Sequence, residues 1–236
     1  YKNAADNDNV DAMYMYGSIL YRNNVIGTNK KEASQYFKQA ADRGNPNAMK
    51  ALADMLYKGD GIEKNLEQAK HYYKNAADND NVDAMYMYGS LLYRNNEIGT
   101  NKKEALRYFK QAADRGNSNA MNYYAIMLEN GDGVEVDKET AIKYYRMAIN
   151  KGNPYSMNNY ADMLYKGSGI EVNKFEAAKF YKMAADLGHD YAMNNYALML
   201  YEGDGVEHNV EEATKYYKMA IEKENAFAMV NYGDLL

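Results

Sequence analysis

Three histidines, His71, His189 and His208, are the side chains here best suited to hold a metal or act as a general base. Aligned on the chain's internal repeat they fall at three different positions, so they form no cluster. Cysteine is absent, which excludes a thiol nucleophile, a disulfide framework and a cysteine-type zinc site. Carboxylates such as Asp60 and Asp204 lie in separate turns, with no enclosed pocket to raise a pKa for acid–base work. Four Gly-x-Gly pairs, Gly59/Gly61, Gly131/Gly133, Gly167/Gly169 and Gly203/Gly205, invite a phosphate cradle. No strand precedes them and no Lys-Ser/Thr follows, so they are predicted to be turn glycines. In all six turns the next position is a predicted buried plug: Ile26, Ile62, Ile98, Val134, Ile170 and Val206. Two turns differ, carrying Asn23 with Val25 and Asn95 with Glu97. A basic column, Lys38, Lys74, Lys110, Arg146, Lys182 and Lys218, suggests RNA reading at one base per repeat. Four residues on, however, lie Asp42, Asp78, Asp114, Asn150, Asp186 and Glu222, which pair most of that charge locally. With 28 basic and 33 acidic residues the net charge is −5, the wrong sign for tracking phosphates. No catalysis, metal, cofactor or nucleic acid is predicted.

The residues that remain are set by a repeat. Ala-Met recurs at 12–13, 48–49, 84–85, 120–121, 192–193 and 228–229, with Ser156-Met157 between, always at a 36-residue step. Leu20, Leu56, Leu92, Leu128, Leu164 and Leu200 keep that step, as do Ala33, Ala69, Ala105, Ala141, Ala177 and Ala213. Residues 1–49 and 73–121 are identical at all but five aligned positions, the mark of a duplicated two-repeat module. No run approaches the roughly 18 apolar residues of a membrane helix. With 26 tyrosines and 16 methionines, the core is expected to be aromatic and methionine-rich. No targeting signal is legible, and the cytoplasm is the favoured compartment.

Each unit reads as two helices. Ala12, Met13, Tyr16, Gly17 and Leu20 form the apolar stripe of the first. Asn9, Asn45 and Asn153 are predicted N-caps, the last two followed by Pro46 and Pro154 at the first helical position. Ala33, Tyr36, Phe37, Ala40 and Ala41 form the stripe of the second. Asn29/Glu32, Asn65/Gln68, Asn101/Glu104, Asn173/Glu176 and Asn209/Glu212 read as capping boxes with asparagine in the first place. Gly44, Gly116, Gly152 and Gly188 should end the second helices in the left-handed conformation.

The pattern Ala-Met-x-x-Tyr-Ala-x-Met-Leu-Tyr-x-Gly-x-Gly-Ile/Val, then Glu-Ala-x-x-Tyr-Tyr-Lys-x-Ala-Ala-x-x-Gly-Asn, resembles the Sel1-like repeat (SLR) family, a relative of the tetratricopeptide repeat. The resemblance covers nearly the whole chain; tyrosine or phenylalanine stands where the family often has tryptophan. It implies an all-α fold, a right-handed superhelical solenoid of antiparallel helix pairs, serving as a scaffold or adaptor for other proteins. Nearest-neighbour stacking gives the same architecture independently, since one helix pair has more apolar face than it can bury alone. Residues 1–8 and 225–236 are read as partial repeats flanking six full repeats at 9–224, so the chain is expected to be a fragment. Ala4, Ala5, Met229, Tyr232 and Leu235 are expected to be uncovered, and self-association through these ends follows.

Binding residues are sought where the repeats vary, opposite the first-helix stripe. In related superhelices that helix lines the concave surface. Asn122, Asn158 and Asn194 form one ladder there, and Asn159, Asn195 and Asn231 a second. A carboxamide both donates and accepts, so such ladders suit the backbone of an extended peptide segment. Specificity is then expected from Tyr123, Asp162, Tyr155 and Tyr191. Tyr14, Met15, Tyr86 and Met87 are expected to be exposed, forming a second partner patch. The alternative is a regulatory or targeting arm of a larger enzyme, such as a kinase, whose catalytic domain lies elsewhere.

Overall fold

The computed structural model describes residues 1–23, 28–94 and 101–235. The described residues form fourteen helices and no strand. The first unit, Tyr1–Asn117, contains α1 (Lys2–Asp6), α2 (Val10–Arg22), α3 (Thr28–Asp42), α4 (Pro46–Lys58), α5 (Leu66–Asp78), α6 (Val82–Arg94) and α7 (Lys102–Asp114). The second begins at Ser118 with α8 (Ser118–Asn130), then α9 (Lys138–Ile149), α10 (Pro154–Lys166), α11 (Lys174–Asp186), α12 (Asp190–Glu202), α13 (Val210–Ile221) and α14 (Ala226–Leu235). Antiparallel pairs α2/α3, α4/α5 and α6/α7 stack in the first unit, and α8/α9, α10/α11 and α12/α13 in the second.

Small residues set the packing distance. Ala33, Ala69, Ala105, Ala141, Ala177 and Ala213 are wholly buried, as are Ala40, Ala76, Ala112, Ala148, Ala184 and Ala220. Rings fill the space this leaves. Within a pair, Tyr16/Tyr36, Tyr88/Tyr108, Tyr124/Tyr144, Tyr160/Phe180 and Tyr196/Tyr216 meet edge to face, the favoured geometry for two quadrupoles. Gly17 and Gly89 lie under Phe37 and Phe109, where an added Cβ would come within 2.9 and 3.0 Å of ring carbons. Between repeats, the hydroxyls of Tyr36, Tyr108 and Tyr216 donate to Asp6, Asp78 and Asp186 on the preceding second helix.

The cap asparagines do two jobs. Asn45 Oδ1 accepts from Ala48 N while its Nδ2 donates to Asp11. Asn81 and Asn153 likewise cap their own helices and donate to Asn47 and Asn119, one repeat earlier. Serine or aspartate would supply the cap without the tie. The capping boxes take a modified form. Asn101 and Asn173 Oδ1 accept from the Glu104 and Glu176 N–H, but each glutamate accepts from the asparagine Nδ2, not its backbone. The backbone N–H is already donated to the Leu92 or Leu164 carbonyl. Asn29 departs from the expectation, lying inside α3.

Gly59, Gly167 and Gly203 end first helices in the left-handed region. The second glycine has another cause. A Cβ on Gly169 or Gly205 would lie 2.6 or 2.7 Å from Lys138 or Lys174, at the start of the preceding second helix. The expected plugs Ile62, Val134, Ile170 and Val206 are half-buried rather than buried. Val25, Ile26, Asn95, Glu97, Ile98 and Leu236 lie outside the described residues. Ala5 corrects the expectation of an uncovered end: it is buried beside α2, while Ala4 and Met229 are exposed and Tyr232 and Leu235 half-buried.

Candidate functional site

The first helices of the second unit carry a continuous chain of carboxamides. Asn231 Nδ2 donates to Asn194 Oδ1 at 2.9 Å, and Asn194 Nδ2 to Asn195 Oδ1 at 3.3 Å. Asn195 Nδ2 donates to Asn158 Oδ1 at 3.4 Å, and Asn158 Nδ2 to Asn159 Oδ1 at 3.4 Å. Asn159 Nδ2 then donates to Asn122 Oδ1 at 3.0 Å, which also accepts from Ser156 Oγ at 3.0 Å. The two ladders read from the sequence are therefore one directional spine running from α14 through α12 and α10 to α8. This corrects the expectation of exposure. Asn122, Asn158 and Asn194 are 5%, 7% and 6% exposed and hydrogen-bond to other repeats, because a buried amide must find a partner. Asn159 and Asn195 are half-buried. Each spends one amide hydrogen on the spine and keeps a second.

Two grooves flank this spine. One, of about 420 Å³, runs between α10 and α12 and is lined by Asp162, Tyr181, Tyr191, Asn195, Leu198 and Phe227. The other, of about 260 Å³, lies between α8 and α10 beside Glu129, Tyr145, Asn159 and Asp162. Asp162 and Lys166 border both. A row of exposed rings follows the same face: Tyr155, Tyr191 and Phe227, at 57%, 51% and 62% exposure. Tyr191 and Phe227 centroids are 6.1 Å apart. The repeat column Asp11, Asn47, Asp83, Asn119, Tyr155, Tyr191, Phe227 turns aromatic only in its last three members. That change is visible in the sequence, yet Phe227 was missed. Tyr123, expected beside the ladder, is buried.

Carboxylate–tyrosine pairs line this face. Tyr181 donates to Asp162 Oδ1, and Tyr145 to Glu129 at 2.9 Å. Burial first, then the adjacent carboxylate, pushes the Tyr181 hydroxyl far above the ordinary phenol range. Leu198 stands where α12 would carry the matching carboxylate. The buried Tyr217 hydroxyl, in the place equivalent to Tyr181, has no hydrogen-bond partner among the described residues, and burial raises its pKa to about 12.

The first unit disposes of its four candidates differently. Met15 is exposed, but Tyr14, Tyr86 and Met87 are half-buried, which corrects the expectation for those three. Tyr14 lies 6.0 Å from Phe37 and Tyr86 6.2 Å from Phe109, ring to ring. Their helices are brought close by Gly17 and Gly89, which draws the rings inward. Tyr14 lines a groove of about 310 Å³ with Asp54, and Tyr86 and Met87 line another of about 290 Å³.

His71, His189, Asp60, Asp204 and most of the basic column are engaged in structure. His189 Nδ1 accepts from Ala192 N, capping α12, and burial lowers its pKa. His71 bonds Asn75. Asp60 accepts from Tyr21 and Lys30, and Asp204 from Tyr165 and Lys174, and these bonds hold both below the usual carboxylate range. Lys38, Lys74, Lys110 and Lys182 pair with Asp42, Asp78, Asp114 and Asp186 at 2.5–3.5 Å. Among the described residues no group of three or more acidic, histidine or cysteine side chains is placed to hold a metal. None of their helices is long and apolar enough to cross a membrane.

A family model described as Sel1 repeat matches residues 10–45, 46–81, 82–117, 118–153, 154–189 and 190–225. No curated protein matches the chain. Among solved structures, it is similar to a protective antigen present in uropathogenic Escherichia coli strains that displays an SLR fold. Identity there is 26% and the TM-score 0.86, over 100% of this chain and 50% of the antigen, so this chain spans half the antigen's length. A Sel1 repeat protein from Oxalobacter formigenes shares 30% identity at a TM-score of 0.83, over 90% of this chain and 85% of that one. Yeast Tom70, at 19% identity and a TM-score of 0.57 over 96% of this chain and 46% of its own, is alike in fold.

Proposed function

Because the chain belongs to the Sel1 repeat family, whose members generally act as protein-interaction scaffolds, we propose that it binds an extended segment of a partner protein along the first-helix face of its second unit. The observation that carries this reading is the row of exposed rings Tyr155, Tyr191 and Phe227 beside a groove floored by half-buried Asn195. Large rigid rings give contact area at low entropic cost, and a carboxamide with an unspent N–H can receive a backbone carbonyl. The binding residues are then Asn159, Asn195, Asp162 and the three rings. Asn122 and Asn158 hold the face in shape; Asn194, which also lines the groove, is bonded to Asn195 and Asn231. The partner is a protein segment; neither nucleic acid nor a cofactor has a place in this reading. The enzyme-arm alternative has no observation in its favour.

The test is selection of a random displayed peptide library on the chain, repeated with Tyr191→Ser/Phe227→Ser. Phe175→Ser on α11 serves as the control, since Phe175 is as exposed (60%) but lies on a second helix. Peptides that bind wild type and the control but not the double variant support the reading. Peptides indifferent to the double variant overturn it.

A further inference from the structure

The two units contain the same three-residue arrangement, completed in one and open in the other. On α4, Asp54 receives two donors: Tyr73 Oη lies 2.6 Å from Oδ1 and Lys50 Nζ 2.7 Å from Oδ2. The equivalents on α10 and α11 are Asp162, Tyr181 and Asn158. Tyr181 still donates to Asp162 Oδ1. The lysine is gone, and the asparagine in its place is committed to the spine. Among the described residues no cationic side chain lies within 4.0 Å of Asp162. Lys166, four residues on, borders the groove but leaves the carboxylate alone. Lys58 does the same at Asp54, where Lys50 is the partner. Asp162 is half-buried at the groove's wall while Lys166 is exposed at its rim.

We infer that the α10–α12 groove takes a basic side chain of the partner segment, lysine by preference, with its ammonium on Asp162 Oδ2 in the place that Lys50 occupies on Asp54. This rests on the reading of the groove as a segment-binding site. The chemistry of the walls agrees. A lysine carries an apolar stem and a charged tip. Here the rings of Tyr191 and Phe227 border the same groove as the carboxylate. The second Asn195 amide hydrogen is available to a backbone carbonyl of the same segment. A half-buried carboxylate already fixed by one hydrogen bond needs little reordering to receive a cation, and it is less screened than a surface charge. An acidic side chain entering the groove would be repelled by Asp162 and could pair only with Lys166 at the rim.

The experiment starts from peptides selected on the full chain as above. Sequencing is expected to show lysine or arginine enriched at one fixed position. A labelled lysine-containing peptide is then titrated against wild type and Asp162→Asn by fluorescence polarisation. It is compared with the same peptide carrying acetyl-lysine there. Asparagine keeps an oxygen to accept from Tyr181, so the variant should fold, which circular dichroism checks. Either change alone is expected to weaken binding about tenfold, and both together no further than one. If Asp162→Asn fails to fold, the acetyl-lysine comparison alone decides: unchanged affinity overturns the inference. Selected peptides that depend on Tyr191 and Phe227 but show no basic position, or an acidic one, also overturn it and leave the scaffold reading standing. If no selected peptide depends on those rings, both fail together.

Discussion

Removing Asn122 should do more damage than one polar side chain usually does, and a second mutation should repair part of it. Asn122 Oδ1 accepts from Asn159 Nδ2 and from Ser156 Oγ, both at 3.0 Å. Asn159 is half-buried and can turn to water, but Ser156 is wholly buried. Asn122→Ala thus loses two hydrogen bonds, about 1 kcal/mol each, and strands a hydroxyl at a further ~1–3 kcal/mol. The expected loss is about 3–5 kcal/mol. Ser156 is the lone serine in a column otherwise made of Ala12, Ala48, Ala84, Ala120, Ala192 and Ala228. Asn122→Ala/Ser156→Ala strands nothing, so it should cost only about 1–2 kcal/mol. Urea unfolding followed by circular dichroism reads both variants and the Ser156→Ala single, closing a double-mutant cycle. Where the two units melt separately, the shift should appear in the transition of the unit beginning at Ser118. A double variant as unstable as Asn122→Ala, or an Asn122→Ala loss under about 0.5 kcal/mol, would show that the spine does not stabilise the stack.

Five further outcomes follow from individual side chains. Tyr217→Phe removes a buried hydroxyl with no partner and should leave the melting temperature unchanged or raised. Tyr181→Phe takes a donor from a carboxylate and should cost about 1.5–3 kcal/mol. Gly89→Ala would push a Cβ to 3.0 Å from Phe109; ~1–3 kcal/mol of overpacking outweighs the helix-propensity gain of about 1 kcal/mol, a net loss of up to ~2 kcal/mol. Gly233→Ala, with nothing within 4 Å, should instead stabilise, and thermal melts separate the two signs. Burial lowers the His189 pKa against the opposing pull of Asp190 and Asp162. The unfolded chain therefore binds this proton more readily, and stability decreases as the pH is lowered. The His189 contribution is full above its unfolded pKa of about 6.5 and declines as pH drops toward the folded value. His189→Asn keeps a cap oxygen and should flatten the melting temperature between about pH 7 and pH 5, relative to wild type; parallel profiles would refute it.

Much of this protein was legible without coordinates. The 36-residue step and the invariant alanines required stacked helix pairs, because a small residue at a fixed helical phase has one use, close approach. Asparagine followed by proline, and glycine after the last alanines, marked helix ends by local backbone chemistry alone. Helix caps are contacts of near neighbours, so sequence spacing determines them. The fate of Asn122, Asn158 and Asn194 was of another kind. Their column and helix face could be read, but not whether each amide would face water, a peptide or another repeat. The spine bonds between helices join residues 37 apart, a separation that becomes 2.9–3.4 Å only after stacking fixes the tilt and offset of successive helices. Tyr14 and Tyr86 turned inward for the same reason: Gly17 and Gly89 let a phenylalanine on the facing helix come near enough to claim them. Sequence determined which side chains the repeats would carry and on which face. Tertiary structure decided which of them the neighbouring repeat would take, because hydrogen bonds and ring contacts depend on ångström-scale approach between segments that the chain itself leaves far apart.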